Sequence, residues 1–127
     1  MLNIVSQDDG KGGTDAKNNR EYGVIVDFNG GVTEQPAGSI VDPSKVSAVS
    51  FNFTIDENTK STFHDHPSGF KEIGTKSGAN TVQIGSYTKH EFFQPPSKAD
   101  ITNSRRPVNY VFGREIIQCI YIIPLVY

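Results

Sequence analysis

Cysteine is almost absent from this sequence, which contains only Cys119. A single cysteine excludes a framework of disulfide bonds within the chain. Cys119 lies inside the apolar run 116–123, and a thiol in such a run usually serves packing rather than chemistry. We therefore expect it to be a buried structural residue.

Long apolar runs are also missing, and so is an excess of charge of one sign. No segment approaches the roughly 18 apolar residues of a membrane-spanning helix, and residues 1–19 lack the apolar stretch of a signal peptide. The net charge is -2 and both signs are mixed along the chain, which gives no footprint for nucleic acid or an anionic membrane. We expect a soluble protein, cytoplasmic as written or exported as part of a larger protein.

The 127 residues are enough for one domain with a modest core. Residues 1–19 are polar and rich in glycine, and predict a flexible N-terminal arm or linker before a folded domain at 20–127. Ser97 is a suitable N-cap for a short helix after the two prolines. Apolar alternation and apolar runs predict strands at 22–28, 32–34, 49–55, 60–66, 108–112 and 115–123. Together these elements predict an α+β fold with a mixed, mostly antiparallel sheet and one or two short helices.

The most informative stretch is Thr-Phe-His-Asp-His-Pro-Ser-Gly at residues 62–69. Because side chains alternate faces along a strand, His64 and His66 point the same way and Asp65 points to the opposite face. Two neutral imidazoles on one face are two-thirds of a catalytic zinc site, in which three protein ligands leave one position open. The alternative is that both histidines are ordinary polar residues at the end of a strand.

Asp100 is the only aspartate that follows these histidines, and it could supply the third ligand. It lies three residues after Ser97, so both side chains can address one point from the first turn of a helix. Glu21, at the start of the first predicted strand, is the best candidate to move protons, and the Ser97 hydroxyl could stabilise an oxyanion. Ser97 is equally explained as a helix cap, and Glu21 as a solvated acid at a strand edge.

Two short motifs give the sequence a family resemblance. His-Asp-His-Pro at 64–67 followed by Ser-Lys-Ala-Asp at 97–100 resembles the His-x-His-Pro…Ser-x-x-Asp signature of JAB/MPN (JAMM) domains. Residues 20–25 look like the short strand that carries the acidic residue of this family. The resemblance covers residues 21–127 and is closest to the bacterial JAB-like group, which includes toxin-type domains at the ends of large secreted proteins. It implies a JAB/MPN-like (cytidine-deaminase-like) architecture.

The resemblance also implies a function, that of a zinc-dependent hydrolase cleaving peptide or isopeptide bonds with a metal-activated water. It implies Zn²⁺ ligands at His64, His66 and Asp100, acid–base catalysis by Glu21 and oxyanion stabilisation by Ser97. The partner would be a protein or peptide substrate rather than nucleic acid or membrane. The chain would be part of a larger polypeptide or act with an immunity partner.

This sequence departs from the family pattern, because residues 68–96 exceed the usual short spacer and the glutamate motif is compressed. We expect this insertion to hold loops and a short strand or hairpin beside the metal, shaping or covering the substrate groove or displacing Asp100. One alternative is a catalytically inactive JAB-fold module for binding or assembly, which a Glu21 far from the histidines would favour. Another is a cupin-like metal protein that uses Glu72 and His90.

Overall fold

The computed structural model of the chain describes residues 2–46, 49–76, 84–103, 108–114 and 116–121. Its elements are, in chain order, α1 (Leu2–Val5), a 3-10 helix (Ala16–Asn18), β1 (Gly23–Asp27), β2 (Val32–Glu34), β3 (Thr59–Asp65), β4 (Phe70–Lys76), β5 (Ile84–Glu91), α2 (Lys98–Asn103), β6 (Val108–Gly113) and β7 (Ile116–Tyr121). None of the helices in these ranges has the length and apolar character needed to cross a membrane.

Five strands form one sheet in the order β2-β1-β3-β6-β7, and β4 and β5 pair separately as a hairpin. Within the part of the sheet that is described, β3 and β6 run parallel and the other neighbouring strands are antiparallel. The predicted α+β class, with a mostly antiparallel sheet and short helices, is confirmed.

The core lies around β3, the central strand of this sheet. Phe63 of β3 is 1% exposed and packs with Ile4, Tyr22 and Val24. β1 approaches β3 closely at Gly23, where an added Cβ would collide with the Phe63 carbonyl oxygen and the ring of Phe51. The glycine at this position therefore allows the two strands to pair beside the ring.

Residues 2–19, predicted as a flexible arm or linker, instead pack against the rest of the chain. Ile4 of α1 is 1% exposed in the core. Asp8 is buried and accepts hydrogen bonds from the backbone N–H and the hydroxyl of Ser68. Three glycines of the segment adopt positive φ, so its high glycine content reflects turns of an ordered chain rather than flexibility.

Residues 49–55, predicted as a strand, form no strand in the structure. Phe51, Phe53 and Ile55 are half-buried while the residues between them are exposed, as the alternation predicted. The backbone N–H of Thr54 donates to the side-chain oxygen of Gln35 rather than to a neighbouring strand. The prediction of a strand was wrong because alternation reports which side chains face inward and not whether the backbone pairs.

Among the residues that the structure describes, β7 lies at one edge of the five-stranded sheet and pairs with β6. Cys119 is exposed on this strand, and Ile117 is 56% exposed. The expectation of a buried thiol was therefore wrong, because apolar composition does not tell an edge strand from a central one. Residues 122–123, which were predicted to continue the strand, lie outside the described residues.

The long segment 68–96 contains the β4–β5 hairpin. The sequence predicted either a short strand or a hairpin here. Its residues 77–83 lie outside the described part of the chain. At the base of the hairpin Phe70 pairs with Glu91, so the chain leaves the domain and returns to it at neighbouring points.

Candidate metal centre

β3 and its extension position both histidines on one side of the sheet. His64 lies in β3, and His66 follows directly after its last residue and donates its backbone N–H to the Phe112 carbonyl of β6 at 2.8 Å. Both side chains are buried, and the centres of their rings are 5.3 Å apart. The prediction that the two imidazoles share a face is confirmed.

Asp100 approaches the histidines from α2. Its Oδ1 lies 3.2 Å from His64 Nε2 and its Oδ2 lies 3.3 Å from His66 Nε2. Ser97 and Asp100 cap each other, because the Ser97 N–H donates to the Asp100 carboxylate and the Asp100 N–H donates to the Ser97 hydroxyl oxygen. The insertion before α2 therefore does not displace Asp100 from the histidines. Ser97 also caps α2, as the sequence allowed.

Glu21 lies two residues before β1, and only 2% of it is exposed. Its Oε1 lies 3.9 Å from His66 Nε2. The pKa of Glu21 is raised to about 8, because burial disfavours the carboxylate more strongly than the neighbouring His66 favours it. The alternative of a solvated strand-edge acid is excluded by this burial.

Glu21, His64 and His66 form a group that is close enough to bind a metal ion. One ligand atom from each of the three residues lies within 4.8 Å of the others, and all three are buried. The set contains two imidazole nitrogens and a carboxylate oxygen, and the Asp100 carboxylate touches both imidazoles. Such a mixed nitrogen and oxygen donor set suits zinc and several other divalent transition metals.

Two polar atoms of this group are buried without a hydrogen-bond partner, namely His64 Nε2 and Glu21 Oε2. The contact of His64 Nε2 with Asp100 is therefore short but lacks the direction of a hydrogen bond. Buried polar atoms are nearly always satisfied in native proteins, because leaving one unpaired costs about 1–3 kcal/mol. A bound cation would satisfy His64 Nε2, so the residues present fit a metal.

The charges of the cluster favour an ionised Asp100. Burial alone would raise the pKa of Asp100, but its contacts with His64 and His66 outweigh burial and hold the pKa well below the usual range. Burial likewise would lower the pKa of His66, but Asp100 and Glu21 outweigh it and raise that pKa. The pKa values of the two carboxyl groups therefore differ widely. Asp100 is ionised, whereas Glu21 can hold a proton near neutral pH.

A cleft of about 440 Å³ opens beside His64 and Asp100. One wall is formed by residues 49–55, and Phe51 stacks parallel to the His64 ring with the ring centres 6.3 Å apart. Phe53 approaches the same ring at 5.8 Å. The apolar alternation of residues 49–55 predicted that both phenylalanines face inward, and it was the only sequence signal of their position beside His64.

Other titratable residues considered from the sequence lie outside this group. Asp65 points away from the histidines as predicted, and its Oδ1 accepts the Tyr22 N–H; burial raises its pKa to about 7. Glu72 and His90, the residues required by a cupin-like site, lie on β4 and β5 of the hairpin. Neither belongs to the metal-binding group found among the described residues.

The comparisons with family models, with curated proteins and with solved structures gave no match for this chain. The case for a metal centre therefore depends on the distances, burial and charges of its own residues.

Proposed function

We propose that this protein is a zinc-dependent hydrolase of the JAB type that cleaves peptide or isopeptide bonds. The observation that carries the proposal is the convergence of the buried Glu21, His64 and His66 with the half-buried Asp100 beside an open cleft. The order of these residues along the chain is that of the JAB/MPN signature, and the mostly antiparallel sheet is compatible with that architecture.

The distances support Asp100 rather than Glu21 as the third ligand. Ligand atoms around a tetrahedral zinc with bonds of about 2.0–2.1 Å lie roughly 3.3 Å apart. Asp100 contacts His64 Nε2 through Oδ1 at 3.2 Å and His66 Nε2 through Oδ2 at 3.3 Å, so its carboxylate lies at this distance from both imidazoles. Glu21 stands further off, at 3.9 Å from His66 Nε2, which leaves it beside the ion rather than bonded to it.

A zinc ion held by His64, His66 and Asp100 would lower the pKa of a coordinated water and polarise the carbonyl group to be cleaved. Glu21 accepts a proton from the water and transfers it to the leaving amine, which requires a pKa near neutral. In the metal-free protein burial raises the pKa of Glu21 to about 8, so this carboxyl can hold a proton near neutral pH.

Ser97 would support the developing oxyanion of the substrate carbonyl. Its hydroxyl oxygen already accepts the Asp100 N–H, so its own O–H remains available to donate. The residue is half-buried at the start of α2, next to the ligand Asp100. Capping and catalysis are compatible in this arrangement, because capping uses the hydroxyl oxygen as an acceptor and oxyanion stabilisation uses the O–H as a donor.

The substrate is a protein or peptide that lies in the cleft lined by residues 49–55. We propose a toxin or effector role for the domain on the basis of the family resemblance alone. The inactive binding or assembly module remains the alternative, but its criterion of a Glu21 far from the histidines is not met.

The test combines metal binding with hydrolysis in matched variants. Wild-type protein is expected to bind one zinc and to cleave members of a library of peptides and isopeptide-linked lysine conjugates. His64→Ala and Asp100→Asn should lose more than the roughly 10–100-fold in zinc affinity that a merely supporting residue contributes. Glu21→Gln should retain zinc and lose about 10²–10⁴-fold in turnover.

His90→Ala is the matched control, because it removes the third histidine of the chain from the hairpin and not from the metal group. It should leave zinc binding and turnover unchanged. Loss of zinc in Glu21→Gln together with full binding in Asp100→Asn would reverse the ligand assignment. A wild-type protein that binds no zinc after loading would end the hydrolase proposal.

A further inference from the structure

We propose that Gln94 is a positioning residue for the metal centre and that it holds the ring of His66 from behind. The inference rests on the proposed function, because it assigns a second contact to a residue proposed as a zinc ligand. It was not visible in the sequence, where Gln94 is one polar residue before two prolines near the end of the insertion.

The first observation is the hydrogen bond between His66 Nδ1 and the backbone carbonyl of Gln94, 3.0 Å long. A carbonyl oxygen can only accept, so Nδ1 must carry the proton. The neutral ring then keeps a lone pair on Nε2, the nitrogen that faces Asp100 and Glu21. The Gln94 carbonyl therefore both orients the ring and selects the tautomer that a metal needs.

The second observation is that the side chain of Gln94 holds this carbonyl in place. Its Nε2 donates to the carbonyl oxygens of Pro67 and Phe92, at 2.9 and 3.2 Å. Its Oε1 accepts the backbone N–H of Arg114 at 3.0 Å. One amide thus joins the loop after His66, the end of the hairpin and the turn between β6 and β7.

The third observation is the close approach of Gly113 at the end of β6. A Cβ added at Gly113 would overlap the carbonyl oxygen of Gln94, the oxygen that accepts from His66. Glycine here leaves the space that the carbonyl occupies. Gly113→Ala should therefore displace the carbonyl and loosen His66, although Gly113 is not a proposed ligand and does not line the cleft.

The experiment measures zinc affinity by competition with a chelator and follows the His66 ring by ¹⁵N-resolved NMR, with and without zinc. Two variants are compared with wild type: Gly113→Ala, and Gln94→Glu, which keeps an acceptor for Arg114 and removes both donated hydrogen bonds. In wild type the His66 Nδ1 should be protonated and slow to exchange with water. Each variant should bind zinc about 10–100-fold more weakly and exchange this proton faster.

Gly38→Ala is the matched control for the glycine substitution. A Cβ at Gly38 would have its nearest contact at 3.4 Å, an ordinary van der Waals distance. This variant should keep wild-type zinc affinity and wild-type exchange at His66. If Gly113→Ala fails to fold, which circular dichroism detects, Gln94→Glu carries the test.

The two proposals fail in different ways. Weaker zinc binding with faster Nδ1 exchange in the variants supports the role of Gln94, whereas unchanged affinity, or an unprotonated Nδ1 in wild type, overturns it while the hydrolase proposal stands. If wild type binds no zinc, the hydrolase proposal fails. The exchange rate at His66 in metal-free protein then decides the role of Gln94, because an equal rate in wild type and both variants would exclude it.

Discussion

Replacing the buried Glu21 with glutamine should stabilise the metal-free protein while it removes the proposed catalytic proton acceptor. Folding raises the pKa of Glu21 from 4.5 to about 8. At pH 7 the folded state still holds the proton that the unfolded state, with its pKa of 4.5, has released. One pKa unit corresponds to about 1.4 kcal/mol, so this difference costs the folded state about 3 kcal/mol relative to the unfolded state. A neutral amide of the same shape does not bear this cost.

The pH dependence follows from the direction of the shift. Between the unfolded pKa and the folded pKa of about 8, the folded state holds a proton on Glu21 that the unfolded state has released. The free energy of unfolding therefore falls as pH rises through this window, and it levels off above the folded pKa. Glu21→Gln lacks this contribution, so its stability advantage should grow from pH 4.5 to pH 8.

The measurement is urea unfolding of wild type and Glu21→Gln in the presence of a chelator, at several pH values across that window. The difference between the two proteins reports Glu21 together with its charge coupling to His66, since Glu21 raises the pKa of that ring. Glu57→Gln, at an exposed position in the turn before β3, is the control and should stay within about 0.5 kcal/mol of wild type at every pH. A difference between Glu21→Gln and wild type that does not change with pH would refute a raised pKa at Glu21.

Two further substitutions test other parts of the structure. Ile4→Ala should lower the free energy of unfolding by about 2–5 kcal/mol, as expected of a core residue. If urea unfolding showed almost no change, the prediction of a flexible N-terminal arm would be supported instead. Ser97→Asn keeps a cap acceptor but removes the hydroxyl, so stability should hold while turnover falls about 10²–10³-fold. Unchanged turnover would leave Ser97 with its capping role alone.

Strand positions were largely predictable from the sequence, whereas strand partners were not. The sequence pattern located β1 and β3 to within a few residues, although β3 is buried on both faces rather than on one. The same alternation at residues 49–55 marks a wall of the cleft with no strand pairing. Backbone pairing depends on which neighbour is available, and a single sequence does not contain that information.

The candidate site was predictable only where a local rule sufficed. The period of two placed His64 and His66 together, and the spacing of three placed Asp100 beside Ser97. Their meeting depends on the parallel pairing of β3 with β6 and on the path of the chain between them, which no local pattern specifies. The part played by Gln94 was hidden because it uses a backbone carbonyl, which every residue possesses.

Because Phe70 pairs with Glu91, the segment between these two residues can change in length without disturbing the rest of the domain. A segment whose two ends are already neighbours can grow outward without altering the path of the chain on either side. Each doubling of a flexible loop adds only about 0.6 kcal/mol of closure entropy. An accessory module between these two residues can thus be lengthened, shortened or exchanged while His66 and Asp100 keep their mutual distance.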